Sequence, residues 1–472
     1  MKYCEVACKH SRCDLRCHEA CAPRIEPCTW SCPHEGQCTL PCSAPCNRLP
    51  CDQRCTEMLP CGHQCPGLCG EACLPEHCAA CGMKLEEQVD MIEFKDYGEI
   101  DLDETPVVAL ACGHFFTAET LDGMVALNSV YTMDTKTGKS DGLQEISSTL
   151  APAVPKCPHC NKPIRQYATQ RYNRLINSAV IDEMTKRFIA TGQTELHGAE
   201  AAFLKAAQRL EETRSEFTKT FSQTNSIAAR SLIMAALRSR YKQAAQVKYS
   251  VSQLQHRAAE RHQPAHKLHE ATVYALQKHE PIEERMARVG FEQVTISGER
   301  DHRITLGAKM LKIKIDCIIT EDKLGVLSAT KAECRESATS LIFPDGSLQG
   351  STKLVLKKCR EFIKDCTNRA LPRLVVEASL YFARIARIWQ TIGSEQRELA
   401  SKYHAKAKKL LTEAKVLCGK GFRDADTLSV AVDKSLKLLR REWYEEVSSA
   451  ELEAIKKAMV GRLGGIATHS GH

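Results

Sequence analysis

The sequence predicts small, loop-rich N-terminal repeats stapled by bound metal, followed by a mainly α-helical C-terminal region. Three observations carry that reading. Of 26 cysteines in 472 residues, eighteen fall between Cys4 and Cys81 and only eight follow. The first 81 residues hold too few large apolar side chains to build a core, so a covalent or metal framework has to replace one. From about Asn177 onward the texture changes to helix formers, with Phe203, Leu204, Ala207 and Leu210 at spacings suited to one helical face.

The cysteines of the first part are periodic. Gaps of three residues recur in Cys4/Cys8, Cys13/Cys17/Cys21, Cys28/Cys32, Cys38/Cys42/Cys46, Cys51/Cys55 and Cys65/Cys69/Cys73, which marks an internal repeat. Histidine enters two residues after a cysteine at Cys8-Lys9-His10, Cys32-Pro33-His34 and Cys61-Gly62-His63, each time just before a short cysteine run. Proline and glycine between these residues supply tight turns that let near neighbours converge on one ion. Disulfides would need an oxidising compartment. The N-terminus, MKYCEVACKHSRCD, has no apolar signal-peptide core, and no apolar run is long enough to cross a bilayer. Nor does a disulfide scaffold require histidine at fixed offsets. Thiolate sulfur with imidazole nitrogen is the ligand set of tetrahedral zinc.

The expectation is a rod of zinc-stabilised knuckles in an intracellular chain of the nucleus or cytoplasm, not a secreted one. Its candidate ligands are Cys4, Cys8, His10, Cys13, Cys17, His18, Cys21, Cys28, Cys32, His34, Cys38, Cys42, Cys46, Cys51, Cys55, Cys61, His63, Cys65, Cys69, Cys73, Cys78 and Cys81, with His77 pooled beside them. Four ligands per ion gives about four or five zincs there.

The stretch Cys61-Gly-His63-Gln-Cys65-Pro-Gly-Leu-Cys69-Gly-Glu-Ala-Cys73, with Cys78 and Cys81 behind it, resembles an NF-X-type zinc finger. Gly70 stands where that pattern often has histidine, and the last cysteines are more widely spaced. The clusters beginning at Cys8 and Cys32 insert one and two residues before their third ligand, which leaves the pairing within each open.

Farther along, Cys112-Gly-His114 and Cys157-Pro-His-Cys160 match the third, fourth, seventh and eighth ligands of a RING finger. The fifth and sixth would fall near Thr117 and Thr120, so a single-zinc, RING-like unit with a long insertion is expected. His159 reads as a turn residue, because the Cys-x2-Cys knuckle already supplies two thiolates. Fingers, an acidic linker from Glu86 to Glu104, "CGHFF" and then "CPHCNKPIRQ…RYN" together resemble the C-terminal part of the NF-X-type zinc-finger helicases. That resemblance implies RNA and the proteins of a silencing, heterochromatin or antiviral assembly as partners, with no membrane and no small-molecule substrate. In that family an RZ-type finger follows the helical region, and "ATHSGH" reads as its cut-off start.

The domain layout expected is tandem fingers over 1–83, the linker over 84–105, the RING-like unit over 106–176, and a partly basic helical region over 177–290. A mixed segment over 291–350 and helices over 351–472 complete it. Helices are expected near 226–279, 351–370, 373–392, 395–418 and 425–460. Strand and helix both remain open over 293–320, where Leu311, Ile313, Ile315 and Cys317 alternate with polar residues. Cys317, Cys334, Cys359, Cys366 and Cys418 lack ligand spacing and read as ordinary residues. From Phe217 to Ala259 the chain has no Asp or Glu. Arg230, Arg238, Arg240, Lys242 and Lys248 in that stretch are candidate RNA-phosphate contacts, with Tyr241 and Tyr249 able to stack on bases. An equally good reading is a solvated face paired with acids elsewhere.

No enzyme is expected in this chain. Gly138-Lys139-Ser140 has Met133 where a P-loop needs glycine and sits in the RING-like insertion, so the helicase motor of the full-length family members is missing. A RING-like ubiquitin ligase is the alternative function.

Overall fold

The computed structural model describes residues 22–82, 84–144, 153–166, 168–222, 227–279, 302–333, 347–392 and 397–440. The chain divides into two compact units, Met1–His197 with Leu254–Thr305 and Gly198–Gln253 with Leu306–His472. The observed architecture is a Cys/His-rich zinc-binding part with few short strands, followed by a mostly helical part.

In the first unit the finger region repeats in its backbone. The Cys38 amide donates to the Trp30 carbonyl at 2.9 Å, and 27 residues on, from 38 to 65, the Cys65 amide donates to the Glu57 carbonyl at 2.9 Å. Cys28 to Leu40 at 3.0 Å is matched by Cys55 to Gly67 at 2.8 Å. Cys42 to Glu26 at 2.7 Å is matched by Cys69 to Gln53 at 2.9 Å. These bonds fix the loops that carry the cysteines. Among the described finger residues, regular structure is limited to two 3-10 turns, Pro75–His77 and Ala79–Cys81, and a short hairpin, β1 (Ser31–Cys32) with β2 (Gly36–Gln37), whose turn needs Gly36 at φ 70°. Beside it Trp30 is buried among Cys28, Cys38, Leu40, Ala44, Cys46 and Leu268, with the Arg48 guanidinium 4.2 Å from its ring centroid.

Two further hairpins follow. β3 (Val107–Ala109) pairs antiparallel with β4 (Phe115–Thr117), and β5 (Tyr131–Met133) with β6 (Ser140–Leu143). Helix α1 (Ala118–Met124) starts on Thr117, whose hydroxyl accepts from the Thr120 amide, an ordinary N-cap. Val108, Phe116, Leu121, Leu127, Tyr131 and Ile164 bury themselves against Tyr172, Leu175 and Ile176 at the start of α2 (Asn173–Glu212). Helix α5 (Pro264–His279) completes the named elements of this unit.

The second unit takes the end of α2, α3 (Arg214–Ser222), most of α4 (Ile227–Arg257) and α6 (Arg303–Glu333), then α7 (Leu348–Asn368), α8 (Pro372–Ile392), α9 (Arg397–Cys418) and α10 (Ala425–Arg440). The 293–320 segment is therefore helix from Arg303. Its alternation misleads because Leu306, Met310, Leu311, Ile313 and Ile315 are all buried, leaving no wide polar face. In α7, Val355, Leu356, Cys359, Phe362, Ile363 and Cys366 make one buried stripe that meets Val376, Phe382 and Ala386 of α8 and Leu411 and Ala414 of α9. Cys317, Cys359, Cys366 and Cys418 are buried in this core, and Cys334 lies outside the described residues. Pro372 at the first helical position of α8 separates it from α7. No helix among the described residues is long and apolar enough to cross a membrane.

Candidate metal centres

Among the described residues the loops gather their ligands into five groups, and within each the donor atoms all lie within 4.8 Å of one another. Three have four members: Cys32/His34/Cys51/Cys69, Cys61/His63/Cys78/Cys81 and Cys112/His114/Cys157/Cys160. Two have three: Cys28/Cys38/Cys46 and Cys55/Cys65/Cys73. All described cysteines are free thiols.

Separations decide what the groups can hold. Cys28 and Cys46 sulfurs are 3.8 Å apart, Cys55 and Cys73 3.6 Å, and Cys61 and Cys78 3.6 Å. A disulfide needs about 2.05 Å. The edge between two sulfurs of a zinc tetrahedron, with Zn–S about 2.3 Å, is about 3.8 Å, and between sulfur and imidazole nitrogen about 3.5 Å. His34 Nδ1 is 3.5 Å from Cys51, and His63 Nδ1 is 3.5 Å from both Cys78 and Cys81. His114 Nδ1 lies 3.3 Å from Cys112 and 3.7 Å from Cys157. The groups have the size of zinc coordination shells.

Electrostatics point the same way. Burial pushes the Cys51 and Cys73 thiols up to about 12 and Cys112 up to about 11, with neighbouring cysteines adding to each. Thiols packed this way ionise together only around a cation, which lowers a coordinating thiol outright. At Cys32 burial opposes ionisation, yet the Glu35 and His34 amides and the Arg48 guanidinium overcome it and hold the thiol below its usual value. Arg48 Nη2 donates to Cys32 Sγ at 2.9 Å, and the Glu35 amide does so at 3.3 Å.

Pairing follows the fold more than the local motif. Cys32, His34 and Cys51 belong to one repeat, whereas their fourth partner, Cys69, belongs to the next. In the last repeat Cys61, His63 and Cys78 keep the same order, and Cys81 takes the place that a further repeat would fill. The Cys32/His34/Cys51/Cys69 centre thus pins one repeat to its neighbour.

Several expected ligands fall elsewhere. Cys42 joins none of the five groups among the described residues; its sulfur is 3.9 Å from Glu26 Oε2. His77 is outside them too, because its ring packs edge-on to Phe115 at 4.7 Å in the core, where burial pushes its pKa down and Lys84 adds to the effect. His159 stacks beside His114 at 4.5 Å without joining that group. Cys4, Cys8, His10, Cys13, Cys17, His18 and Cys21 lie outside the described residues.

Around the Cys112 centre, the positions where a RING pattern would put cysteines carry a hydroxyl network. Thr117 Oγ1 donates to Thr120 Oγ1 at 2.8 Å, and Thr120 Oγ1 donates to Asp90 Oδ1 at 3.3 Å. The same carboxylate oxygen accepts from the Ile92 and Glu93 amides at 2.8 and 3.0 Å. Hydrogen bonds tie this corner together without thiols.

Sequence reasoning missed the residues that seat the fingers on α2. Arg171 donates to Asp122 at 2.6 and 2.9 Å, to Asp52 at 2.7 Å and to the Cys51 carbonyl at 2.8 Å. Arg174 reaches the carbonyls of Val130, Cys46 and Gln144, and Asn177 those of Cys42 and Ala44. The signal was the polar set Arg171, Asn173, Arg174 and Asn177 interleaved with the apolar Tyr172, Leu175 and Ile176 around the start of α2.

Part of the chain is similar to known proteins. The chain is 38% identical over 157 residues to human NFX1-type zinc finger-containing protein 1, 34% over 177 residues to the mouse protein, and 36% over 88 residues to a Caenorhabditis elegans homolog. This is a zinc-finger protein. The alignments cover 32, 36 and 18% of this chain but only 7, 8 and 3% of those relatives, so the chain spans less than a tenth of their length. No family model and no solved structure matches it. Zinc is the ion that the five groups suit, and in such small loops its binding supplies the folding free energy that a core would otherwise give.

Proposed function

We propose that this chain is a zinc-scaffolded RNA- and protein-interaction region, of the kind that would accompany a helicase motor in a longer NF-X-type protein, and that it has no catalytic activity of its own. The observation that carries the RNA part is a stripe on α4. Arg238, Lys242 and Tyr249 are exposed, recur on one helical face, and line a shallow open trough with Ala245 and Gln246. Tyr249 is 67% exposed, far more than a packing tyrosine requires. Two cations and an aromatic face suit single-stranded RNA, with phosphates on the cations and a base on the ring.

Two of the sequence candidates are otherwise engaged. Arg240 is paired with buried Asp322 at 2.7 and 2.8 Å, and Lys248 with Asp316 at 2.5 Å, so their charge is spent on holding α4 to α6. Tyr241 likewise gives its hydroxyl to Asp322 at 3.0 Å. The side chain of Arg230 lies outside the described residues. Zinc loops and the silencing, heterochromatin or defence setting of the resembling family support protein partners beside RNA.

The test is binding of single-stranded RNA by the full chain. Arg238→Glu with Lys242→Glu should weaken it at least tenfold across sequences and reduce the salt slope by roughly 0.7 per lost phosphate contact, with zinc content and helicity unchanged. Equal binding by the double variant, or none by the parent at low salt, removes the RNA reading and leaves protein interaction.

A further inference from the structure

The second unit carries a knot of positive charge where α4, α6 and α7 meet. Asp316 of α6 is buried, and each of its carboxylate oxygens is taken by a different lysine, Lys248 of α4 on Oδ1 at 2.5 Å and Lys358 of α7 on Oδ2 at 2.9 Å. One negative charge thus answers two ammonium groups. Lys312 stands one helical turn before Asp316 on the same face of α6. Three residues earlier, Lys309 lies 3.6 Å from Asp365, a carboxylate that Arg369 already holds at 2.8 Å. Five cations therefore meet at Asp316 and Asp365.

Lys312 registers the excess. Burial pushes its pKa down, and the ammonium groups of Lys248 and Lys358 push it further than Asp316 can restore. Asp316 already joins the three helices through Lys248 and Lys358, and the charge of Lys312 adds repulsion to that join. An anion relieves such crowding. The side chains of Lys248, Lys358 and Lys309 are 36, 40 and 46% exposed, so an anion can approach them from solvent. Each ammonium is a compact charge with three donors, suited to phosphate oxygens. The charge is also gathered about one point and not strung along a face. It therefore matches an ion with two charges on one phosphorus better than an RNA strand, whose phosphodiesters carry one each.

We propose that Lys248, Lys312 and Lys358 form a binding site for a phosphate dianion at the junction of α4, α6 and α7. The site uses a different face of α4 from Arg238, Lys242 and Tyr249, and it does not depend on RNA binding there. A bound dianion ties the three helices together, so it should stabilise the second unit.

The full chain, zinc-loaded and reduced, is melted at low ionic strength with inorganic phosphate at millimolar concentration, against sodium chloride of equal ionic strength. Phosphate should raise the helical transition by about 3 °C or more beyond chloride. Lys312→Met should abolish that rise and, having lost a crowded charge, melt no lower than the parent without anion. Lys312→Arg should keep the rise. No rise beyond chloride in the parent, or the same rise in Lys312→Met, overturns the site. A Lys312→Met chain that melts well below the parent assigns the lysine to structure and overturns it too. Glycerol 2-phosphate in a second arm separates the sources: a rise at least equal to that with inorganic phosphate assigns a phosphomonoester, and none assigns the free ion. A Lys312-dependent rise with single-stranded RNA lacking terminal phosphates, and none with phosphate, overturns the dianion and makes the cluster a nucleic-acid face.

Discussion

Cys69 belongs by sequence to one repeat and by coordination to the one before it. Serine in its place offers a neutral hydroxyl in a site built for a thiolate, so Cys69→Ser should release one zinc per chain. Arg48→Ala keeps all four donors and removes the guanidinium bond to Cys32 together with its contact over Trp30, so it should retain the ion with affinity lowered about 10–100-fold. Competition with a chromophoric chelator reads both. A different carboxylate sets a pH dependence away from any metal. Arg369 donates to Asp365 at 2.8 Å and, with Lys309, holds its carboxyl below the usual range. A depressed folded pKa gives stability that is full above the unfolded value of about 3.9 and is lost as pH falls through the lower folded value. Asp365→Asn should therefore destabilise the helical unit by about 0.3–1 kcal/mol at pH 7, a half-exposed pair's worth. The difference from the parent should shrink as pH falls below the unfolded value and through the lower folded one, as seen in melts at a series of pH values.

At the scale of elements, the join between finger loops and α2 depends on Arg171, which is buried and faces Asp122 and Asp52. Arg171→Ala leaves Asp122 without its charge partner and frees the Cys51 carbonyl, at an expected cost of roughly 3–5 kcal/mol. Thermal melting should show the loss in the zinc-bearing unit and leave the helical unit's transition in place. The same element shows what a sequence can and cannot reveal. Cys112, His114, Cys157 and Cys160 were readable as one set because Cys-x-His and Cys-x2-Cys are short turns that fix their own geometry. The Cys69 crossover was not, since it depends on how one repeat stacks on the next. His77 carries no local mark that separates a core ring from a ligand. The acid-free stretch of α4 read equally as a phosphate-binding stripe and as a face paired with acids elsewhere, and for two of its cations the second holds: Asp316 and Asp322 answer Lys248 and Arg240 from a helix more than sixty residues along the chain. Arg238 and Lys242, on the other face, kept the role read for them as a proposal.

At the scale of the whole molecule, two kinds of stability are joined in one chain. The helical unit buries a continuous core of Phe382, Ile385, Trp389, Leu411 and their neighbours, and needs no metal to do so. The described finger loops bury few large apolar side chains beyond Trp30, Leu40, Leu59 and Leu68, so their folded state is the zinc-bound state. A strong chelator should collapse the loops while most helical circular dichroism survives. The central claim is that the five ligand groups are zinc centres. Elemental analysis of the full chain, purified under reducing conditions with zinc supplied to saturation, tests it most directly. At least five zincs per chain are expected, one for each group; fewer than five, or intramolecular disulfides among these cysteines, would contradict it.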